Sequence, residues 1–164
     1  MPLCRRLSLD HVEIRKANKH DALYIGERVR EDDFNELVVQ THEHPYYTMI
    51  KGIDANPDKA MTGLLDGVPV CMWGVTPAGM ILRVGIPWMV GTYHLDDAAF
   101  TFLKRNRGTI IDMLNDFDIL VNYVDARNVR AIGWLKFCGF TIDDPEPYGN
   151  TGLLFHKFWM TKGE

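Results

Sequence analysis

The chain has 164 residues, a length typical of a single domain with one well-filled core. Hydrophobic residues make up 46% and charged residues 24% of it, which excludes a disordered tail, a coiled coil and a collagen-like repeat. The formal net charge of −4 argues against non-specific binding to DNA or to membrane surfaces. We therefore expect neither a nucleic acid nor a membrane as a partner.

Cysteine usage and the lack of long apolar runs indicate where the protein acts. The cysteines Cys4, Cys71 and Cys138 form no CxxC motif, which favours a reduced, intracellular protein. No apolar run reaches the roughly 18 residues of a membrane span, and residues 1–6 lack the apolar core of a signal peptide. We expect a small, soluble protein of the cytoplasm.

The start of the chain predicts a strand followed by a helix. Residues 1–10 show no clear period and are interpreted as a loose leader, which leaves one domain over residues 11–164. Residues 12–17 alternate apolar and polar side chains, as a half-buried strand does. Asn18 and Asp21 offer oxygens that can cap the helix that follows.

Two more helices are expected before the first hairpin. Three consecutive acids at residues 31–33 suit the start of a helix, because they complement its dipole. The inward stripe of this helix is predicted at Phe34, Leu37, Val38 and Thr41. Pro45 is expected to open a third helix that ends at Gly52.

The middle of the chain predicts an antiparallel meander. Residues 60–65 and 68–75 have strand-like patterns on either side of Asp66-Gly67, a strong signal for a two-residue hairpin turn. A further strand is predicted over residues 81–92.

The last part of the chain alternates helices and strands. A long helix is expected to start at Asp96 or Asp97, because apolar residues recur at helical spacing as far as Phe117. A short strand, a helix ended by Gly139 and further strands come after it. These segments are predicted at residues 119–124, 128–137, 140–142 and 153–160. The order of elements indicates one mixed α/β domain.

Residues 124–140 carry a recognisable motif. A strand ends at Val124, Asn128 follows after three residues, Ala131-Ile132 stands three residues after the asparagine, and Gly139-Phe140 closes the helix. This stretch resembles the last conserved block of the GNAT superfamily of acyl-CoA-dependent N-acyltransferases, whose element order also matches the predicted one. The resemblance implies an α/β fold with a mixed central sheet of about six to seven strands, a splayed pair of parallel strands and flanking helices.

Four other stretches narrow the resemblance. Residues 30–33, 72–75, 87–92 and 122–128 look like the acetyltransferase-like proteins of short-tailed bacteriophages. This implies a phage protein in the cytoplasm of a bacterial host, either free or associated with the virion.

The resemblance also implies a binding site for acetyl-CoA between the splayed strands. The main chain at the end of the fourth strand would pair with the pantetheine arm, beside the helix that the asparagine begins. The residues assigned in this way are Met89, Val90, Gly91, Thr92, Asn128 and Ala131. Gly91 fits a bulge or a close approach of the backbone, or it marks the end of the strand.

Two segments are candidates for binding the pyrophosphate of acetyl-CoA. The superfamily loop Gln/Arg-x-x-Gly-x-Gly/Ala is matched in part by residues 105–110, but Ile110 stands where a small side chain is needed. A solvated helix face is the favoured interpretation of that segment. Residues 91–95, directly after the strand, are the alternative anion site.

Acetyl transfer to an amine needs a base, because a protonated amine has no free electron pair. The predicted fourth strand contains no acid, so we expect His94 to be the base, with Tyr93 and Asp125 as further candidates. The tyrosine that often protonates the leaving thiolate in the superfamily is replaced here by Leu135. The acids at residues 31–33 are expected to attract a cationic acceptor.

Three functions are open at this point. The first is acetyl transfer from acetyl-CoA to an amine of a protein or a small molecule. The second is a catalytically inactive GNAT-like protein that acts in virion assembly or binds a host protein, which the degenerate catalytic residues favour. The third is a sensor that binds CoA without turnover. No metal site is expected, because an arrangement such as His42-Glu43-His44 turns its two rings apart.

Overall fold

The computed structural model describes residues 11–163, apart from the side chains of residues 97–100 and 103. The leader predicted at residues 1–10 lies outside the described residues. In chain order the elements are β1 (Val12–Lys16), α1 (Lys19–Gly26), α2 (Glu31–Thr41), α3 (Pro45–Ala55), β2 (Met61–Leu65), β3 (Val68–Pro77), β4 (Val84–Gly91), α4 (Leu95–Asp116), β5 (Ile119–Asp125), α5 (Val129–Phe137), β6 (Thr141–Ile142), β7 (Glu146–Pro147) and β8 (Leu154–Thr161).

The strands form one mixed sheet in the order β1-β2-β3-β4-β5-β8-β6, with β7 also paired to β8. Only β4 and β5 are parallel among the strand pairs of the described residues. The predicted α/β fold with one parallel pair is therefore confirmed. The sheet has eight strands rather than six or seven, because two short strands, β6 and β7, both pair with β8.

The helices cover the two faces of the sheet. Residues of α1, α2 and α3 pack with Met72 and Val90 on one face, and residues of α4 pack with Trp73 on the other, with α5 against the same cluster. Met72 and Trp73 are neighbours on β3 and enter different clusters, as the alternation of side chains along a strand requires. Within residues 11–163, no helix is long and apolar enough to cross a membrane.

Local signals in the sequence account for the start of α1 and for the hairpin between β2 and β3. Asn18 and Asp21 form a reciprocal capping box, with the Asn18 oxygen 2.9 Å from the Asp21 nitrogen, so this prediction is confirmed. Asp66 and Gly67 have φ angles of 51° and 78°, the left-handed conformation that a two-residue hairpin turn needs.

Helix α3 continues past Gly52, where it was predicted to end, as far as Ala55. Gly52 lies against the sheet and does not end the helix. A β-carbon at this position would lie 2.4 Å from Cζ2 of Trp88, so the glycine lets the indole ring pack between α3 and β3. Gly74 on β3 is in contact with the same ring.

Replacing Gly52 with alanine is expected to destabilise the protein by about 1–3 kcal/mol, because the rigid Trp88 ring cannot move aside without disturbing the core. The matched control is Gly133→Ala in α5, where a β-carbon meets nothing within 4 Å and alanine should stabilise the helix by about 0.5–1 kcal/mol. Urea unfolding measures both changes. Equal effects of the two substitutions would contradict the packing described here.

The parallel strands β4 and β5 separate soon after they meet. They pair at Val84 with Ile119 and at Gly85 with Leu120, and at no later position. The next residue of β4 whose main chain faces β5 is Pro87, which has no N–H to continue the ladder. The predicted splay is therefore present, but it begins after Gly85 rather than near Gly91.

Candidate active site

The separation of β4 and β5 leaves main-chain groups of β4 facing a wedge. Asn122 Nδ2 donates to the Pro87 carbonyl at 2.8 Å, and the Gly91 N–H donates to Asp33 Oδ2 at 2.9 Å. Met89 lies between Pro87 and Gly91 on β4. Its N–H and C=O point toward the wedge, as the main-chain groups of Pro87 and Gly91 do, since main-chain groups alternate along a strand. No side chain of the described residues bonds to them, so they are open to a ligand.

Side chains of α2 bind the main chain of β5 across the wedge. Gln40 Nε2 donates to the Tyr123 carbonyl at 2.8 Å, and the Asp125 N–H donates to Glu36 Oε1 at 2.7 Å. Glu36 and Gln40 are one helical turn apart and therefore share a face of α2. That face covers the wedge from one side of the sheet.

A cavity of about 130 Å³ passes through the wedge between the two faces of the sheet. On the α2 side its wall includes Glu36, Leu37 and Gln40. On the α4 and α5 side its wall includes Ile110, Met113, Ala131, Trp134, Leu135 and Cys138. The cavity therefore joins a chamber under α2 to a chamber between α4 and α5, where Asn106 and Thr109 add polar groups to a mostly apolar wall.

Glu36 places a carboxyl group at this cavity. Its Oε2 accepts from Asn128 Nδ2 at 3.1 Å, in addition to the bond with Asp125. Burial raises the pKa of Glu36 to about 8, and the charge of Asp33 acts in the same direction, although the two hydrogen bonds oppose it. A carboxyl group with such a pKa can take up and release a proton near neutral pH.

An ion pair fixes the start of α2 to the C-terminal end of β4 and to the start of α5. Arg30 Nη2 lies 3.0 Å from Asp33 Oδ2, and their side chains are only 8% and 6% exposed. Asp33 also accepts from Asn128 Nδ2 at 3.1 Å and from the N–H of Gly91. The Asn128 oxygen accepts from the Ala131 N–H, so this side chain begins α5 as well.

Comparisons with known proteins show which fold this is. No family model matches the sequence, and no curated protein matches it. Solved structures do match. A GNAT-family acetyltransferase from Streptococcus pneumoniae gives a TM-score of 0.61 at 16% identity, over 93% of this chain and 99% of that one. The chain has the GNAT fold.

Two other solved structures of this fold contain ligands. Spermidine N-acetyltransferase from Vibrio cholerae, in complex with CoA and spermine, gives a TM-score of 0.64 at 14% identity, over 93% of this chain and 96% of that one. The yncA protein of Salmonella typhimurium, with its cofactor acetyl-CoA, gives 0.62 at 13% identity, over 94% and 96%. At these low identities, the structural similarity shows the fold alone.

Only some of the residues predicted to bind acetyl-CoA line the cavity. Met89 and Ala131 line it. Val90 is fully buried in the core under α1–α3, Thr92 donates to the Val70 carbonyl at 3.0 Å, and Asn128 reaches the cavity wall through its bond to Glu36.

Gly91 ends β4 without a bulge, since the register with β3 runs unbroken from Gly85 to Gly91. A β-carbon on Gly91 would lie 3.1 Å from Nε of Arg30, which makes the position one of close approach.

The predicted base His94 and its neighbour Tyr93 lie outside the cavity. Both are exposed, Tyr93 at 61%, and His94 directly precedes α4. Asp125 is buried at the end of β5, where burial alone would raise its pKa, but hydrogen bonds from Arg127 outweigh this and hold the pKa below its ordinary value. Asp125 is therefore a weaker base than Glu36.

Neither candidate pyrophosphate segment forms a glycine-rich loop. Residues 105–110 lie inside α4, where Arg105 donates to the Val12 carbonyl, so the favoured helical interpretation is confirmed. In the first turn of α4, Asp96 accepts from Arg130 Nη1 at 2.6 Å and from Arg30 Nη1 at 3.3 Å. Asp96, which directly follows residues 91–95, therefore already pairs with both Arg130 and Arg30.

Glu36 and Gln40 were not among the predicted site residues. The inward stripe of α2 is Asp33, Glu36, Leu37 and Gln40, at spacings of three, one and three residues. The predicted stripe started at Phe34, which is 36% exposed. The sequence does contain helical spacing that identifies this face of α2, but most of the residues are polar. A search for apolar residues alone does not detect it.

Proposed function

We propose that the chain is a GNAT-type N-acetyltransferase that moves an acetyl group from acetyl-CoA to an amine, with Glu36 as the general base. The observation that carries the proposal is the carboxyl of Glu36, with a pKa of about 8, at a cavity that also reaches the open main chain of Met89. Ligands in two structures of the same fold, acetyl-CoA in one and CoA with spermine in the other, support it.

In the proposed reaction, Glu36 accepts a proton from the ammonium group of the acceptor. The freed nitrogen lone pair forms a bond to the thioester carbonyl carbon, and the carbon–sulfur bond breaks with its electron pair going to sulfur. The second proton that the nitrogen loses passes to the CoA thiolate, so the products are the N-acetylated amine and CoA thiol. Leu135 stands at the cavity wall where the resemblance expects a proton-donating tyrosine. The thiolate therefore leaves without help from that side chain, which lowers the rate.

The residues present fit the pantetheine arm of acetyl-CoA. The N–H and C=O of Met89 can pair with an amide of the arm, and Ala131 leaves room beside them because its side chain is a single methyl group. At the phosphate end, Arg130 is 60% exposed, but it already pairs with Asp96. We infer that the phosphates compete with this carboxylate for Arg130.

Cys138 lines the same cavity but is not a nucleophile there. Burial raises the pKa of its thiol to about 11, so it stays protonated at neutral pH. We therefore propose direct transfer from the thioester to the amine, without an acyl-cysteine intermediate.

The first experiment is a calorimetric titration with acetyl-CoA, for which we expect binding at micromolar concentration. Ala131→Phe fills the cavity wall and should lower the affinity at least about 10-fold. Val129→Phe is the matched control, because Val129 is on the same helix and 72% exposed. A flat titration of the unsubstituted protein at hundredfold higher concentration would remove the proposal.

A second candidate is a non-catalytic protein of this fold that acts in a bacteriophage virion or on a host protein in the bacterial cytoplasm. The apolar Leu135 at the cavity and the carboxylate of Asp96 at the start of α4 favour it. It predicts that acetyl-CoA produces no turnover with any amine, and that the protein co-sediments with phage particles or with one host protein. Turnover that depends on Glu36 would exclude it.

A further inference from the structure

The chamber under α2 has an unusual balance of charge for a site that receives a cationic amine. Two acids, Asp33 and Glu36, are part of its wall. Asp33 is held by Arg30, by the Gly91 N–H and by Asn128, all within 3.1 Å at their nearest atoms. Glu36 is therefore the one acid of the described cavity wall that can serve a cation.

Other acids on α2 do not add to this charge at the cavity. Glu31 and Asp32 are exposed and lie outside the cavity wall, although they were expected to attract the acceptor. Arg30 does belong to the wall, and its guanidinium is a positive charge beside the chamber. A second ammonium group would lose its water there without gaining a carboxylate.

Aromatic rings form another part of the α2 side of the cavity. Trp88 and Tyr123 both line it, and the ring of Tyr123 is 40% exposed. The Tyr123 ring lies 5.3 Å from that of Tyr148, which in turn lies 4.6 Å from that of Phe155. These contacts hold the Tyr123 ring in place at the cavity wall.

We propose that the acceptor is a monoamine with an aromatic or apolar body, rather than a polyamine. Its single ammonium group meets Glu36, and its body packs against Tyr123 and Trp88. This inference rests on the proposed acetyl transfer and names the substrate class of the same site. Aromatic groups pack favourably in offset or edge-to-face contact with such rings, so Tyr123 determines specificity rather than chemistry.

The experiment compares 2-phenylethylamine with spermidine as acceptors at saturating acetyl-CoA. We expect kcat/KM to be at least about 10-fold higher for 2-phenylethylamine. Tyr123→Ala should raise KM for 2-phenylethylamine about 10-fold with little change in kcat, and Tyr123→Phe should restore it. The hydrogen bond from Gln40 goes to the main chain of Tyr123, so these variants keep it. Tyr47→Ala, on the exposed side of α3, is the control and should change neither constant.

Calorimetry with each amine, added to the protein with and without CoA, separates this inference from the proposed function. Tighter binding of 2-phenylethylamine than of spermidine supports the inference even where turnover is slow. Equal or tighter binding of spermidine overturns it, and so does the absence of binding by both amines. Failure of acetyl-CoA to bind removes the proposed transfer instead, whatever the amines do.

Discussion

Replacing Glu36 with glutamine is expected to lower the rate of acetyl transfer by about 100-fold or more, because the reaction then lacks its base. The substitution keeps the size of the side chain and an oxygen for the Asp125 N–H. The Asn128 Nδ2 loses its acceptor, because the glutamine presents an N–H in place of Oε2. The Asn128 amide cannot flip to compensate, because its oxygen accepts from the Ala131 N–H at the start of α5. Release of CoA thiol, followed with a chromogenic disulfide, measures the rate, and calorimetry should show that acetyl-CoA binding is retained.

The pH dependence of the unsubstituted protein tests the same group. The base acts only when it is ionised, so kcat/KM, which reports the pKa of the free protein, should rise with pH and level off above about pH 8. Glu31→Gln is the matched control, because Glu31 is exposed on the same helix, and it should leave the rate and its profile unchanged. A Glu36→Gln variant with the full rate would contradict the assignment of Glu36 as the base.

The pH dependence of stability is a second, independent test of the raised pKa of Glu36. Its pKa is about 8 in the folded protein and near 4.5 when unperturbed, so the folded chain holds a proton that the unfolded chain releases between these values. The free energy of unfolding should therefore fall as pH rises through that window, and remain lower above it. The contribution of Glu36 to this slope should vanish in Glu36→Gln.

Much of the fold was accessible from the sequence because local signals determine it. The capping pair Asn18 and Asp21, the turn Asp66-Gly67 and the helix begun by Asn128 each act over a few residues, and each is found as predicted. The start of the splay was misplaced, because it depends on which side of β4 faces β5. Pro87 marks that point only once the strand order is known.

The candidate site was less accessible, and the reason is physical. The inward face of α2 does not pack on a core at Glu36 and Gln40 but covers main-chain groups that the splayed strand β5 leaves without strand partners. Polar residues are therefore correct on that face, whereas a prediction from hydrophobic spacing places them in solvent. Ala131 and Met89, which line the cavity, were predicted from the resemblance to the GNAT motif and not from their own chemistry.

Replacing Arg30 with methionine is expected to lower the free energy of unfolding by about 3–5 kcal/mol, because Asp33 would be left buried without its counter-charge. The substitution should also loosen the contacts at the wedge, since Asp33 accepts hydrogen bonds from the N–H of Gly91 and from the amide of Asn128. Arg28→Met is the control: Arg28 is 41% exposed, pairs with exposed Glu27 and stacks on the Tyr24 ring, so its loss should cost at most about 1 kcal/mol. Urea unfolding measures both, and a difference of less than 1 kcal/mol between the two variants would show that the buried pair does not hold α2 against the ends of β4 and α5.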